Sequence, residues 1–196
     1  EQAGAVPYNP QAGTGILRHI FCRYGFASGQ AQVTIVSTSA HLPKADLLIG
    51  QIRSACPDVC SIILNVNQTK GNTVLTGDFS TLWGTDSIED ILCGLRFKLS
   101  PRSFYQVNRA QAQRLYDKVL DYAGLTGRET VLDLYCGTGT ITLCLARRAR
   151  RAIGAEIVDA AIADAQFNAR YNSITNAEFI CADASAAAAR FQSDGL

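Results

Sequence analysis

Apolar and polar positions change rhythm twice along this chain. Residues 1–16, EQAGAVPYNPQAGTGI, are rich in Gly, Pro and Ala and predict an irregular lead-in. Leu17–Arg23 and Gln32–Thr38 are β-branched and aromatic runs flanking Gly25-Phe26-Ala27-Ser28-Gly29, with Val33, Ile35 and Ser37 alternating against Thr34, Val36 and Thr38. That two-residue period predicts a β-hairpin. From Pro43 to Ala55 the period lengthens, placing Leu47, Leu48, Ile52 and Ala55 on one face of a helix. A strand over Ser61–Val66, a turn at Gln68–Asn72 and a strand at Thr73–Leu75 follow, then a second hairpin of Ser87–Leu92 and Leu95–Leu99 about Cys93-Gly94. Residues 17–100 therefore predict a small α+β domain rich in antiparallel strands.

Beyond Pro101 the pattern becomes strand and helix in turn. Asn108 and Gln111 form a capping box before Ala112, Leu115, Tyr116, Val119, Leu120 and Ala123, which recur at helical spacing until Gly124. Thr130–Tyr135 is a compact apolar strand. A helix through Leu143, Ala146 and Ala149 comes next, ending in the basic run Arg147-Arg148-Ala149-Arg150-Arg151. Ala152–Ile157 and Glu178–Cys181 are further strands, separated by a helix over Ala160–Tyr171 that turns Ala161, Ile162, Ala165 and Ala169 inward. Ala184–Ala189 begins another helix. Alternation of this kind predicts βαβ crossovers in a parallel sheet over residues 101–196, the first half of an α/β domain.

Composition adds less. A hydrophobic share of 47% with 18% charge belongs to a globular chain rather than a disordered one. A net charge of +1 gives no field that draws the whole chain to nucleic acid, although a local basic face stays open. The seven cysteines, 22, 56, 60, 93, 136, 144 and 181, are odd in number and contain no CxxC pair. They predict free, mostly buried thiols in a reducing, cytoplasmic setting, with no metal site. No apolar run approaches the ~20 residues of a membrane span. The chain starts at Glu1 and contains no Met, as a piece of a longer protein would.

Candidate chemistry gathers at Asp133-Leu134-Tyr135-Cys136-Gly137-Thr138-Gly139, which leaves a strand and opens a helix. Glycines there let the backbone approach a ligand and adopt conformations closed to other residues. Glu156, ending the next strand, is placed to accept bonds from two ribose hydroxyls, and Asp183, past the third, to meet an adenine amino group. A dinucleotide site asks for a third glycine at position 142, where Thr142 stands. S-adenosylmethionine carries a sulfonium and an amino group, and Asp133 beside the loop suits it better. Cys136 reads as a small residue in a tight turn, and Cys144 and Cys181 read as core.

The runs Leu99-Ser100-Pro101-Arg102-Ser103-Phe104-Tyr105-Gln106-Val107-Asn108, Val131–Thr140 and Ile153–Val158 closely resemble the RNA uracil-C5 methyltransferases that act on 23S rRNA or tRNA. Leu17-Arg18-His19 and Asn172–Phe179 also look like that family, so the likeness extends from about Leu17 to Ala184. It implies a central α+β domain followed by the first half of a class I Rossmann-like domain, truncated before its catalytic part. It implies S-adenosylmethionine as cofactor and RNA as substrate, with rRNA preferred over tRNA. The cofactor contacts would be Gln106, Tyr135, Gly137, Gly139, Glu156, Asp183 and Asp133. Without the family, Gln106 reads as a surface amide and Tyr135 equally well as strand-end packing.

Carbon 5 of uracil becomes nucleophilic only after a thiolate adds at carbon 6, and a base must later remove the carbon-5 proton. The family's nucleophilic cysteine, Asp-Pro-Pro-type loop and base are missing here, so no catalytic residue is assigned and the chain alone is expected to be inactive. The cysteine set of iron–sulfur members is missing too. Arg147–Arg151 reads as a solvated helix end; Arg96, Lys98 and Arg102 fit an RNA face and a charged strand face equally well. An incomplete sheet edge predicts self-association. Two other readings remain, an NAD-dependent oxidoreductase and a non-catalytic nucleotide- or RNA-binding module.

Overall fold

The computed structural model describes residues 4–193. The chain divides into two compact units, Glu1–Glu89 with Ser100–Arg102, and Asp90–Leu99 with Ser103–Leu196. A division at residue 100 would have assigned Asp90–Leu99 to the first unit; the contacts assign it to the second.

The first unit carries β1 (Leu17–Gly25), β2 (Gln30–Ser37), α1 (Ala45–Ala55), β3 (Val59–Val66) and β4 (Asp78–Gly84), in one sheet of order β1-β2-β3-β4. Strands β1 and β2 pair antiparallel, as their alternation predicts, and so do β3 and β4. The central pair differs from the antiparallel expectation: β2 and β3 are parallel, with α1 as the crossover. Burial explains this. Every residue of β2 from Ala31 to Ser37 is buried, so both faces of the strand are covered, as in a parallel pair. Ala45, Leu48, Ile49 and Ile52 of α1 pack on Val33, Ile35, Ile62 and Leu64. Leu47 and Ala55, expected on that face, are exposed, so the apolar stripe is offset from the predicted one.

Thr73–Leu75 is not a strand. The Asn67 amide donates to the carbonyls of Thr73 and Val74, at 2.8 and 2.9 Å, taking acceptors that a sheet ladder would need. Arg18 also holds this loop, donating to Asn67 and to the Thr69 carbonyl. The strand missing from the sequence reading is β4, whose residues are half-buried or exposed and show no clean alternation.

The rest of the chain supplies β5 (Ile88–Leu92), β6 (Leu95–Leu99), α2 (Arg109–Ala123), β7 (Thr130–Asp133), α3 (Thr140–Ala146), β8 (Arg151–Glu156), α4 (Asp159–Tyr171), β9 (Ala177–Cys181) and α5 (Ala184–Ser193). β5 and β6 pair with each other; β7, β8 and β9 form a parallel sheet in that order. The Asn108 side chain accepts the Gln111 N–H at 3.2 Å, and Gly124 closes α2 in the left-handed conformation. Ala112, Tyr116 and Leu120 are buried, whereas Leu115 and Ala123 face solvent against expectation.

The basic run differs from expectation as well. Helix α3 stops at Ala146 rather than continuing to Ala149, because the Glu129 carbonyl accepts the N–H groups of Arg150 and Arg151 and draws them toward the sheet. Arg151 opens β8 and forms a two-bond pair with Glu178 of β9, at 2.9 and 2.6 Å. Ala152, Ile153 and Ala155 make β8 the buried centre of its sheet. Ile162, Ala165 and Ala169 of α4 turn inward as predicted, joined by a fully buried Asn168. Among the described residues no helix is long and apolar enough to cross a membrane.

Candidate functional site

Parallel strands deliver their last residues to one edge, where loops diverge and leave a crevice. Asp133 ends β7, Glu156 ends β8, and Asp183 follows β9 at the start of α5. A cleft of ≈ 290 Å³ opens there, walled by Leu134, Tyr135, Glu156, Ile157, Asp183 and Ser185. A second cleft, ≈ 320 Å³, lies against α2 and α3 around Cys93, Gln113, Asp117 and Arg147, away from any strand end.

Glu156 organises the first cleft. Its Oε2 accepts the Gly137 N–H at 3.2 Å and its Oε1 the Val158 N–H at 3.0 Å. Each carboxylate oxygen has two lone pairs, so each still has one for a ligand hydroxyl. Gly137 has φ +53°, a backbone conformation that side chains resist, and space enough around it that conformation alone demands glycine. Gly139 has φ +82° and precedes α3; a Cβ there would lie 3.0 Å from the Phe179 ring. Tyr135 is 81% exposed beside the cleft, which removes strand-end packing as its explanation.

Asp183 has a structural duty as well. Its Oδ1 accepts the N–H groups of Ser185 and Ala186, at 2.8 and 3.0 Å, and the Ser185 hydroxyl, capping α5. Those bonds, the hydroxyl first, hold its carboxyl below the usual range. Oδ2 has no protein partner among the described residues. Asp133 turns instead toward the helix: its Oδ2 accepts the hydroxyl of fully buried Thr142 at 2.7 Å, and its Oδ1 the Tyr135 N–H at 3.3 Å. Gln106 is exposed in the stretch before α2. Neither Asp133 nor Gln106 lines the cleft.

Cys136 is buried, and desolvation, followed by the charges of Asp133 and Glu156, pushes its thiol up to about 12. It is a neutral packing group at physiological pH. Two of the three cations weighed as RNA contacts lie over rings of the chain: the Lys98 ammonium is 5.2 Å from the Phe167 ring centre, and the Arg102 guanidinium 4.6 Å from that of Phe79. Arg96 meets Asn172 only through its backbone, and the residue is exposed.

Two site residues escaped the sequence reading. Ile157 is 69% exposed and forms an apolar wall beside Glu156; an isoleucine directly after a strand-end acid was the available signal. Gly154 lies under the loop, where a Cβ would stand 2.8 Å from the Cys136 sulfur. A lone glycine inside a buried strand was its signal.

Residues 85–192 match a family model described as tRNA (uracil-5-)-methyltransferase. An uncharacterized RNA methyltransferase of Listeria innocua is 45% identical over 176 residues, covering 90% of this chain and 39% of the relative. One from Bacillus cereus is 43% identical over 197 residues, covering 100% and 43%. The chain thus spans about two fifths of the length of these relatives. Among solved structures, the tRNA (uracil-54, C5)-methyltransferase of Pyrococcus abyssi in complex with S-adenosyl-L-homocysteine is similar at TM-score 0.74 and 30% identity, over 90% of this chain and 42% of that one. A Methanocaldococcus jannaschii tRNA m1G37 methyltransferase shares the fold alone, with TM-score 0.53 and 12% identity over 86% and 47%.

Proposed function

The chain belongs to the tRNA (uracil-5-)-methyltransferase family, and from that membership we propose that it supplies the cofactor half of an enzyme that methylates carbon 5 of uridine in RNA. The cofactor is S-adenosylmethionine, held in the cleft at the ends of β7, β8 and β9. One observation carries this reading: Glu156 stands at the cleft with one acceptor lone pair left on each oxygen, beside exposed Tyr135 and Ile157. That set suits a nucleoside, with the carboxylate taking ribose hydroxyls and the apolar pair flanking the base. Asp183 Oδ2 is the acceptor for the adenine amine. Asp133 acts through the loop that it ties to α3, and Gln106 completes the methionine end from the segment before α2. An NAD site is disfavoured because position 142, where the third glycine belongs, holds a buried threonine bonded to Asp133.

When bound, the cofactor supplies an electrophilic methyl on sulfur. This chain's residues bind and orient it; the thiolate that must add to uracil is assigned outside this chain because the family's nucleophile motif is not in it, and Cys136 of the glycine turn is neutral and buried. The chain alone therefore transfers no methyl. We place the enzyme in the cytoplasm, acting on rRNA in preference to tRNA, a preference that rests on sequence resemblance. Among the described residues β7 and β9 have unpaired edges, which favour self-association of the isolated chain. The test incubates the chain, and separately the longer protein, with methyl-labelled S-adenosylmethionine and 23S rRNA or tRNA. Label in rRNA 5-methyluridine from the longer protein only is the expected result. Label at another base, or none with either RNA, would refute the proposal.

A further inference from the structure

Asn168 in α4 and Asn172 at its C-cap lie one turn apart and treat the backbone of β6 as a neighbouring strand would. Asn172 accepts the Arg96 N–H at 2.9 Å and donates to the Arg96 carbonyl at 2.6 Å. Asn168 accepts the Lys98 N–H at 2.8 Å. Strand residues two apart present their backbone groups on the same side, which matches the four-residue helical spacing of the two amides. The pattern repeats weakly at the Asn168 donor, which reaches the Lys98 carbonyl at 3.5 Å. Asn168 Nδ2 also reaches the Thr138 carbonyl at 3.2 Å, in the middle of the Gly137-Thr138-Gly139 turn. Asn168 is fully buried, and Thr138 is 2% exposed with a hydroxyl that has no partner.

A buried asparagine in a helix interior carries a cost in propensity and desolvation, which it recovers only by satisfying its hydrogen bonds. Packing alone would be served by an alanine or leucine, as at Ala165 and Ala169 on the same face. The turn needs outside support, because its two glycines hold left-handed conformations and have no side chains to anchor them. Glu156 holds the Gly137 N–H from the cleft side, and Asn168 holds the Thr138 carbonyl from the α4 side. We infer that Asn168 is a positioning residue for the cofactor, fixing the glycine turn in its ligand-ready form and joining it to the backbone of β6. The inference rests on the proposed cofactor role of that turn.

A matched pair of variants separates this role from ordinary stability. Asn168→Ser and Asn172→Ser each release β6, but only the first releases Thr138. Amide hydrogen exchange on the unliganded chain reads the Gly137 and Gly139 N–H groups against those of β8. Asn168→Ser is expected to speed exchange in the turn by about 10-fold, the effect of losing one buried hydrogen bond, while Asn172→Ser leaves the turn unchanged. Asn168→Asp, which keeps the acceptor for the Lys98 N–H and loses the donor to the Thr138 and Lys98 carbonyls, should loosen the turn in the same way. Exchange in the turn equal to the parent in both Asn168 variants, or raised equally in β8 and by Asn172→Ser, overturns the inference. Titration with S-adenosylhomocysteine separates the two readings: a loosened turn with about 10-fold weaker binding supports both. A loosened turn with unchanged affinity sinks the cofactor reading of the turn while leaving Asn168 as its anchor.

Discussion

Replacing Gly154 by alanine adds one methyl group at the most crowded point beneath the glycine turn. The new Cβ would lie 2.7 Å from Phe179 Cδ1 and 2.8 Å from both Cβ and Sγ of Cys136. Nonbonded carbons prefer about 3.5–4.0 Å, so three contacts are short by roughly 0.7 Å or more. Relief is difficult because β8 is the middle strand, bonded to β7 on one side and β9 on the other, with Ile153 and Ala155 buried next to the site. Overpacking of this kind costs ~1–3 kcal/mol, and the constrained strand points to about 2 kcal/mol. For a chain of this size that is a fall of roughly 4–8 °C in melting temperature. Urea unfolding, with the slope checked for constancy, measures the loss. Phe179→Leu in the Gly154→Ala background should recover part of it, since the ring supplies the shortest contact. A change within 0.5 kcal/mol of the parent, or no coupling to Phe179, would refute the packing argument.

The Thr126 hydroxyl, helped by backbone N–H groups of the 126–128 turn, holds the exposed Glu129 carboxyl down to about 2. A depressed acid stabilises the fold above its ordinary value of 4.5 and loses that contribution as pH falls from 4.5 toward 2. Urea midpoints between pH 5 and 2 should therefore fall less steeply for Glu129→Gln; an identical slope counts against the assignment. In native thiol titration the exposed Cys22 and Cys181 should react with a disulfide reagent at pH 8, and the buried Cys136 and Cys144 only after unfolding. Modification of native Cys136 at that pH would contradict its high thiol pKa. Sedimentation should reveal self-association that grows with concentration, and a monomer throughout would remove the role given to the open sheet edges.

Much of this arrangement was legible because its physics is local. The strand–helix alternation, the Asn108 cap and the glycine turn each depend on a few adjacent residues, although β7 ends at Asp133 rather than Tyr135, and the structure brings Tyr135, Glu156 and Asp183 to one cleft. Features set by partners distant in sequence were not legible. Asn67 diverts Thr73 and Val74 from a ladder, and Glu129 draws Arg150 and Arg151 toward the sheet, so strand and helix limits moved there. Parallel pairing of β2 and β3 was hidden because alternating residue types still leave every residue from Ala31 to Ser37 buried. Asp133 was read from its charge, but a helix residue nine positions later, Thr142, decides where the carboxylate points.

We propose above that the cleft beside Glu156 takes an S-adenosyl ligand. Calorimetric titration of the chain with S-adenosylhomocysteine, with NADH as the paired control and Glu156→Ala as the site variant, tests it most directly. Saturable binding of S-adenosylhomocysteine, none of NADH, and about 10-fold or greater weakening in Glu156→Ala, from the loss of hydrogen bonds to a charged group, are expected. Binding of NADH alone, or S-adenosylhomocysteine affinity unchanged by the substitution, would contradict it.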